Sequence, residues 1–221
     1  RALFVILFGA MKKYAIANLT APTIAAILDR NDPTLAGSMA LLAILLYSLQ
    51  QYADFSGGID MVLGVAQLFG IEMMPNFRQP YFSTSLGDFW RRWHITLSGW
   101  FRDYIYIPLG GNRKGQARQL FNMFLVWAAT GIWHGASWNF IAWGLYYFVL
   151  LTIEKTFLLK YLKKGKVWPH LYTLFFVVLG WGLFTANQPG APLGLLLQKL
   201  FVPQGGISAV YSPVSYTHLR A

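Results

Sequence analysis

Long apolar runs separated by short polar breaks organise this chain. Leu3 to Met11 reads as the tail of an apolar helix stopped by Lys12-Lys13, and Tyr14 to Leu28 as a mildly amphipathic stretch broken at Pro22. Asp29-Arg30-Asn31-Asp32-Pro33 predicts a turn, with Pro33 suited to begin the next helix. From Leu35 to about Tyr52, the run Met39 to Tyr47 is long and apolar enough to span a bilayer. Gln51 to Asp60 then sets Asp54, Asp60 and the Gly57-Gly58 pair between that span and a second apolar run, Met61 to Gly70. Asp60 is suited to cap the second helix and Asp54 to pair with a base, roles weighed against direct catalysis.

Pro75 to Pro80 predicts a loop, and Ser83 to Asp88 supplies capping residues for a helix entered at Phe89. In Phe89 to Tyr104, the residues Trp90, Trp93, Leu97, Trp100, Phe101 and Tyr104 recur at steps of three and four, which predicts one shared face. An amphipathic helix rich in Trp and Arg belongs in the membrane interface. Ile107 to Gly115 is a Gly-rich basic turn extended by Arg118; without a Lys-Ser/Thr ending it is no nucleotide-binding loop.

Leu120 to Trp133 is apolar but reaches only about 21 Å as a helix, short of the roughly 30 Å hydrocarbon core, so His134 is expected inside the membrane. The chain turns at Gly135, and Ser137 to about Leu159 returns. Arg113, Lys114 and Arg118 flank one end of this hairpin, and Lys160, Lys163, Lys164 and Lys166 the other. Both basic loops are cytoplasmic by the positive-inside rule, which puts the histidine at the apex. Trp168 to Ala186 predicts another span, with His170 at its interfacial start, and Ala191 to Phe201 is short and amphipathic. Residues 212–221, with His218, lose the apolar pattern and read as an atypical tail; residues 1–211 read as the central and C-terminal part of one membrane domain whose earlier spans are missing.

Composition sharpens the class. Of 221 residues, 56% are hydrophobic, 17% aromatic and only 12% charged. Such a chain is an integral membrane protein: an all-α, polytopic transmembrane helical bundle with interfacial and re-entrant helices. It begins with Arg1 inside an apolar run, as an excerpt of something longer would. The absence of cysteine excludes disulfides, thiolate metal sites and a cysteine acyl carrier within the segment. The net charge of +10 fits cytoplasmic loops and lipid headgroups, and no nucleic-acid module is present.

Candidate chemistry centres on Thr130 to Phe140, where His134 stands between glycines and tryptophans. A neutral imidazole is suited to take a proton near pH 7, and an ionisable group at membrane depth is by default a site. The alternative is a histidine that locks helix packing through a backbone carbonyl. His94, beside Trp93, is equally open to packing and to function.

Asp54-Phe55-Ser56-Gly57, Asn76-Phe77 with Pro80-Tyr81, Phe89 to Ser98 with its Arg92-Trp93-His94 core, Arg102-Asp103-Tyr104 with Pro108-Leu109-Gly110-Gly111, and Trp133-His134-Gly135 together resemble the membrane-bound O-acyltransferase family. The likeness runs in the family's order from about Gln51 to Trp143, and is strongest to the bacterial branch that acetylates alginate and similar exopolysaccharides. It implies a ring of tilted helices around a thin centre, with a cytoplasmic funnel meeting an outward one, in the bacterial inner membrane. It implies catalysis by His134, with His94 as second functional histidine. Trp133, Asn139, Arg102, Asp103 and Asp54 are the candidate substrate-binding residues, and no metal is expected. No cofactor is expected to stay bound; a cytosolic acyl thioester, acetyl-CoA or an acyl carrier, is the co-substrate. Partners implied are membrane lipids and an extracytoplasmic acyltransferase that receives the acyl group.

Acyl transfer from a thioester to a hydroxyl needs a base for the hydroxyl proton and donors for the oxyanion. His134 fills the first role; His94, Asn139 or a Trp N–H are candidates for the second. Within the same chemistry, the alternative is D-alanyl transfer from a carrier protein to teichoic acid. In a different class, His94, His134, Asp54 and Asp60 would form the proton relay of a transporter or export component, but the chain shows no repeated broken-helix pattern.

Overall fold

The structure, a computed structural model, describes residues 1–28, 37–135 and 137–185. The turn predicted at Asp29 to Pro33, Ala136, the amphipathic Ala191 to Phe201 segment and the tail with His218 lie outside them. The described residues are mainly helical, with a single isolated bridge between Phe77 and Trp93. Three helical runs are long and apolar enough to cross a membrane: Ala2–Leu28, Trp138–Leu162 and Trp168–Thr185.

The first run joins α1 (Ala2–Ala10), a π-helical segment Met11–Ala17 and α2 (Asn18–Leu28). Lys12-Lys13 therefore do not end a helix, contrary to the sequence expectation. Both lysines turn towards α3 (Ser38–Leu68), where Lys12 donates to the Ser56 hydroxyl at 3.0 Å and pairs with Asp60, while Lys13 pairs with Asp54. The expected pairing of Asp54 is present, whereas Asp60 caps nothing, because α3 runs unbroken for 31 residues through the Asp54 to Asp60 stretch. Small residues bring the two helices together: a Cβ on Gly9 would stand 2.5 Å from the Gly57 carbonyl oxygen. Such backbone approach is how helices associate where lipid removes the hydrophobic drive.

After an extended stretch, α4 (Leu86–Arg92) and α5 (Ile95–Phe101) replace the one long helix predicted over Phe89 to Tyr104. The break falls at His94, whose φ of 47° is left-handed. Trp93 is consequently buried at 4% exposure, while Trp100 and Tyr104 are 50% and 69% exposed, so the predicted single face does not exist. Ser85 caps α4, accepting from the Asp88 N–H at 3.0 Å, as the capping residues in that stretch suggested.

A π-helical turn Arg102–Tyr106 leads through the basic turn into α6 (Gly115–His134), α7 (Trp138–Ile153), a π-helical turn Glu154–Leu158, α8 (Leu159–Leu162) and α9 (Trp168–Thr185). α6 and α7 form the expected hairpin. A Cβ on Gly131 would lie 2.6 Å from the Phe140 carbonyl oxygen, and one on Gly144 would lie 2.5 Å from that of Trp127. Glu154 ties the hairpin to α4: its buried carboxylate accepts the Leu86 and Gly87 N–H groups at 2.7 and 2.9 Å, a charge-assisted cap. The apolar core gathers Leu86, Phe89 and Trp93 against Trp143, Tyr147 and Trp181.

Candidate active site

His134 ends α6, and the helix stops there because Gly135 follows at φ 152°, ψ 160°, a region open to glycine almost alone. A Cβ on Gly135 would also meet the Phe140 ring at 2.8 Å. The His134 ring is walled by aromatics: Trp143 and Phe184 stand edge-to-face at 5.1 and 5.2 Å, and Trp133 at 5.0 Å.

His94 reaches the same place by another route. The chain at Asn76 to Arg78 runs beside Arg92 to Ile95, with the Ile95 N–H donating to the Asn76 carbonyl at 3.0 Å and the Arg78 N–H to that of Arg92 at 3.0 Å. This pairing holds the left-handed bend and presents the imidazole, edge-on against Phe55 at 4.7 Å. His94 sits on a connector outside the spans, and burial pushes its imidazole down to about 4, so the ring is neutral near pH 7.

Both histidines line one cavity of about 260 Å³. Its walls are otherwise mainly aromatic, among them Trp90, Trp93, Trp127 and Trp181. The few polar side chains converging on it are Gln51, Arg91, Ser98 and Thr130. Ser98 and Thr130 spend their hydroxyls on the Trp90 and Val126 carbonyls. Gln51 donates to the Tyr47 hydroxyl at 2.6 Å, and its proximity to the histidines had no signal in the sequence beyond its place four residues before Phe55. Arg91 was legible only as a charge on the outer side of a helix.

A second cavity of about 610 Å³ adjoins the first, sharing Gly87 and Arg91 as wall residues. Arg92, Lys155 and Lys163 line it, beside Asp88 and Glu154. The basic loop after α7 therefore contributes to a hollow that meets the histidine cavity across α4.

The remaining sequence candidates stand apart from the histidine cavity. Trp133 touches His134 but is 58% exposed and does not line the cavity, and Asn139 is in the first turn of α7. Arg102 and Asp103 pair with each other at 2.7 Å in the open, and the guanidinium holds the Asp103 carboxyl below its ordinary value. Asp54 is engaged with Lys13. No cluster of His, Cys, Asp or Glu that could hold a metal occurs among the described residues.

Known proteins resemble the chain over most of its length. A probable alginate O-acetylase of Pseudomonas fluorescens is 42% identical over 187 residues, covering 81% of this chain and 36% of that protein. A peptidoglycan O-acetyltransferase of Helicobacter pylori is 38% identical over 210 residues, 93% of this chain and 39% of that protein. A teichoic acid D-alanyltransferase of Bacillus subtilis is 32% identical over 194 residues, 80% of this chain and 46% of that protein. The chain thus spans from about a third to about half the length of these relatives. The sequence model of the membrane-bound O-acyltransferase family matches residues 1–189, and the chain belongs to that family.

Proposed function

We propose that the complete protein is an O-acyltransferase of a bacterial cytoplasmic membrane, crossing it several times. It moves an acetyl group from a cytosolic thioester towards hydroxyls of an extracytoplasmic polysaccharide, with residues 1–211 forming part of one catalytic domain. The observation that carries the reading is the convergence of His134 and His94 on one aromatic cavity.

In this reading His134 takes the proton of the acceptor hydroxyl as its oxygen attacks the thioester carbonyl. The tetrahedral intermediate collapses with cleavage of the C–S bond, the proton passes to the departing sulfur, and an ester and a free thiol result. Aromatic walls exclude water, so the acyl group is not lost to hydrolysis. The adjoining basic cavity supports an anionic donor, acetyl-CoA or a phosphopantetheine carrier, with Arg91, Arg92, Lys155 and Lys163 as its partners. Arg102 and Asp103, exposed beyond α5, are assigned to docking the donor, and Trp133 and Asn139 to the acceptor side of His134. Asp54 acts on substrate only through the packing it gives α3. An extracytoplasmic acyltransferase receives the acyl group from that ester and completes its delivery to the polysaccharide.

Relatives named for alginate and for peptidoglycan acetylation support an acetyl group and a glycan acceptor. The teichoic acid relative keeps D-alanyl transfer as the second reading. Family membership leaves the transporter reading without support.

The test places the full-length protein in a strain lacking it and compares wild type with His134→Ala, quantifying ester-linked acetate and D-alanine on surface polymers. Loss of acetate in the variant, at unchanged protein level, is the expected result. Loss of D-alanine instead establishes the second reading, and no change in either removes His134 from catalysis.

A further inference from the structure

Asn76 is 8% exposed and lies on the extended stretch before α4, yet its side-chain oxygen collects three contacts. It accepts from the Thr96 N–H at 3.1 Å and from the Thr96 hydroxyl at 3.0 Å, and it lies 3.2 Å from His94 Nδ1. The first contact settles the chemistry of the third. A backbone N–H only donates, so the Asn76 atom facing it is the amide oxygen and not the amide nitrogen. A carbonyl oxygen only accepts, so His94 Nδ1 must carry the ring proton. Because the imidazole is neutral, the lone pair is then on Nε2, on a ring that lines the cavity shared with His134.

We propose that Asn76 is a positioning residue for acyl transfer: it fixes His94 as the Nδ1–H tautomer, so that Nε2 accepts a hydrogen bond from the acceptor hydroxyl and aligns it for His134. The inference rests on the acyltransferase reading of the cavity, but it assigns a role to a side chain that touches neither substrate. Asn76 acts through both its backbone and its side chain: the backbone carbonyl takes the Ile95 N–H, and the side chain takes Thr96 and His94. One asparagine therefore holds both the left-handed bend and the ring carried on it. A leucine of similar size would leave the Thr96 N–H without its partner and His94 free to exchange tautomers.

The test uses the full-length protein in lipid nanodiscs with ¹⁵N-labelled histidine, the His94 signals being assigned by their loss in His94→Gln. In wild type the expected pattern is a protonated Nδ1 and an unprotonated Nε2. Asn76→Leu is expected to mix the tautomers and to lower kcat by about ten- to a thousandfold, with KM for the thioester donor changed by less than about threefold. Asn76→Asp keeps an oxygen acceptor and is expected to restore the Nδ1–H signal and most of kcat. Thr96→Val removes only the hydroxyl donor and is expected to leave both unchanged. An Nε2–H signal in wild type overturns the proposal whatever the variants do. So does an Asn76→Leu enzyme that is equally impaired with its tautomer intact, or a Thr96→Val enzyme as impaired as Asn76→Leu, since either marks a structural role. Failure of the acyltransferase reading is seen separately, as an absence of acyl transfer by the wild-type protein itself.

Discussion

His94 is held by hydrogen bonds, with Asn76 on its Nδ1 and its own backbone bent to φ 47°, whereas His134 closes a 20-residue helix and is enclosed by rings. Among the described residues no hydrogen bond to the His134 imidazole is made. The difference teaches what each arrangement is good for. A polar clamp fixes which nitrogen carries the proton, which suits a group that must present one face to a substrate. An aromatic wall fixes where the ring is but not which nitrogen is protonated, which suits a group that takes up a proton and gives it back.

The comparison can be broken first at His134. His134→Ala is expected to lower transfer at least about a thousandfold, while the thermal midpoint in detergent stays near that of wild type; an unfolded variant would show that the ring is structural. Gly131→Leu attacks the hairpin that carries it. With no room between α6 and the Phe140 carbonyl, it is expected to destabilise by about 2–3 kcal/mol and to lose activity together with the fold, read by thermal unfolding. His94→Gly sharpens the contrast, because glycine accepts the left-handed bend at no cost. It should lose transfer about a hundredfold, yet be more stable than His94→Ala by about 1 kcal/mol. Trp143→Phe keeps an aromatic edge against His134 and is expected to slow transfer only a few-fold, as measured by kcat with saturating donor.

Much of the hairpin was legible in the sequence, since its signals are local. Apolar length set the spans, the Trp133-His134-Gly135 run marked a helix end, and the lysines after α7 marked the basic side, where Lys163 lines the second cavity. The rest depends on partners distant in the chain. Helical periodicity ran straight through His94, because the bend there is imposed by Asn76, 18 residues earlier. The stretch around Asp54 and Asp60 looked like a break for the same reason. Its carboxylates Asp60 and Asp54 are matched by Lys12 and Lys13, more than 40 positions away, and a helix whose charges are matched needs no loop. Asn76 was visible as part of a motif, but only contact geometry gives it a role.

The pairing of Lys12 with Asp60 has a consequence for biogenesis. Each charge, entering a bilayer alone, costs about 2.5–3.5 kcal/mol at the centre of a span. Lys12 sits well inside the first apolar run, and α3, where a span was expected from Leu35 to about Tyr52, does not qualify as one on hydropathy, because its apolar start runs on into Gln50, Gln51 and Asp54. The two segments are thus poor candidates for release into lipid one by one and good ones for release as a pair. Because the lysines are synthesised before the aspartates, the earlier helix is expected to stay beside the translocation channel until its counter-charges arrive.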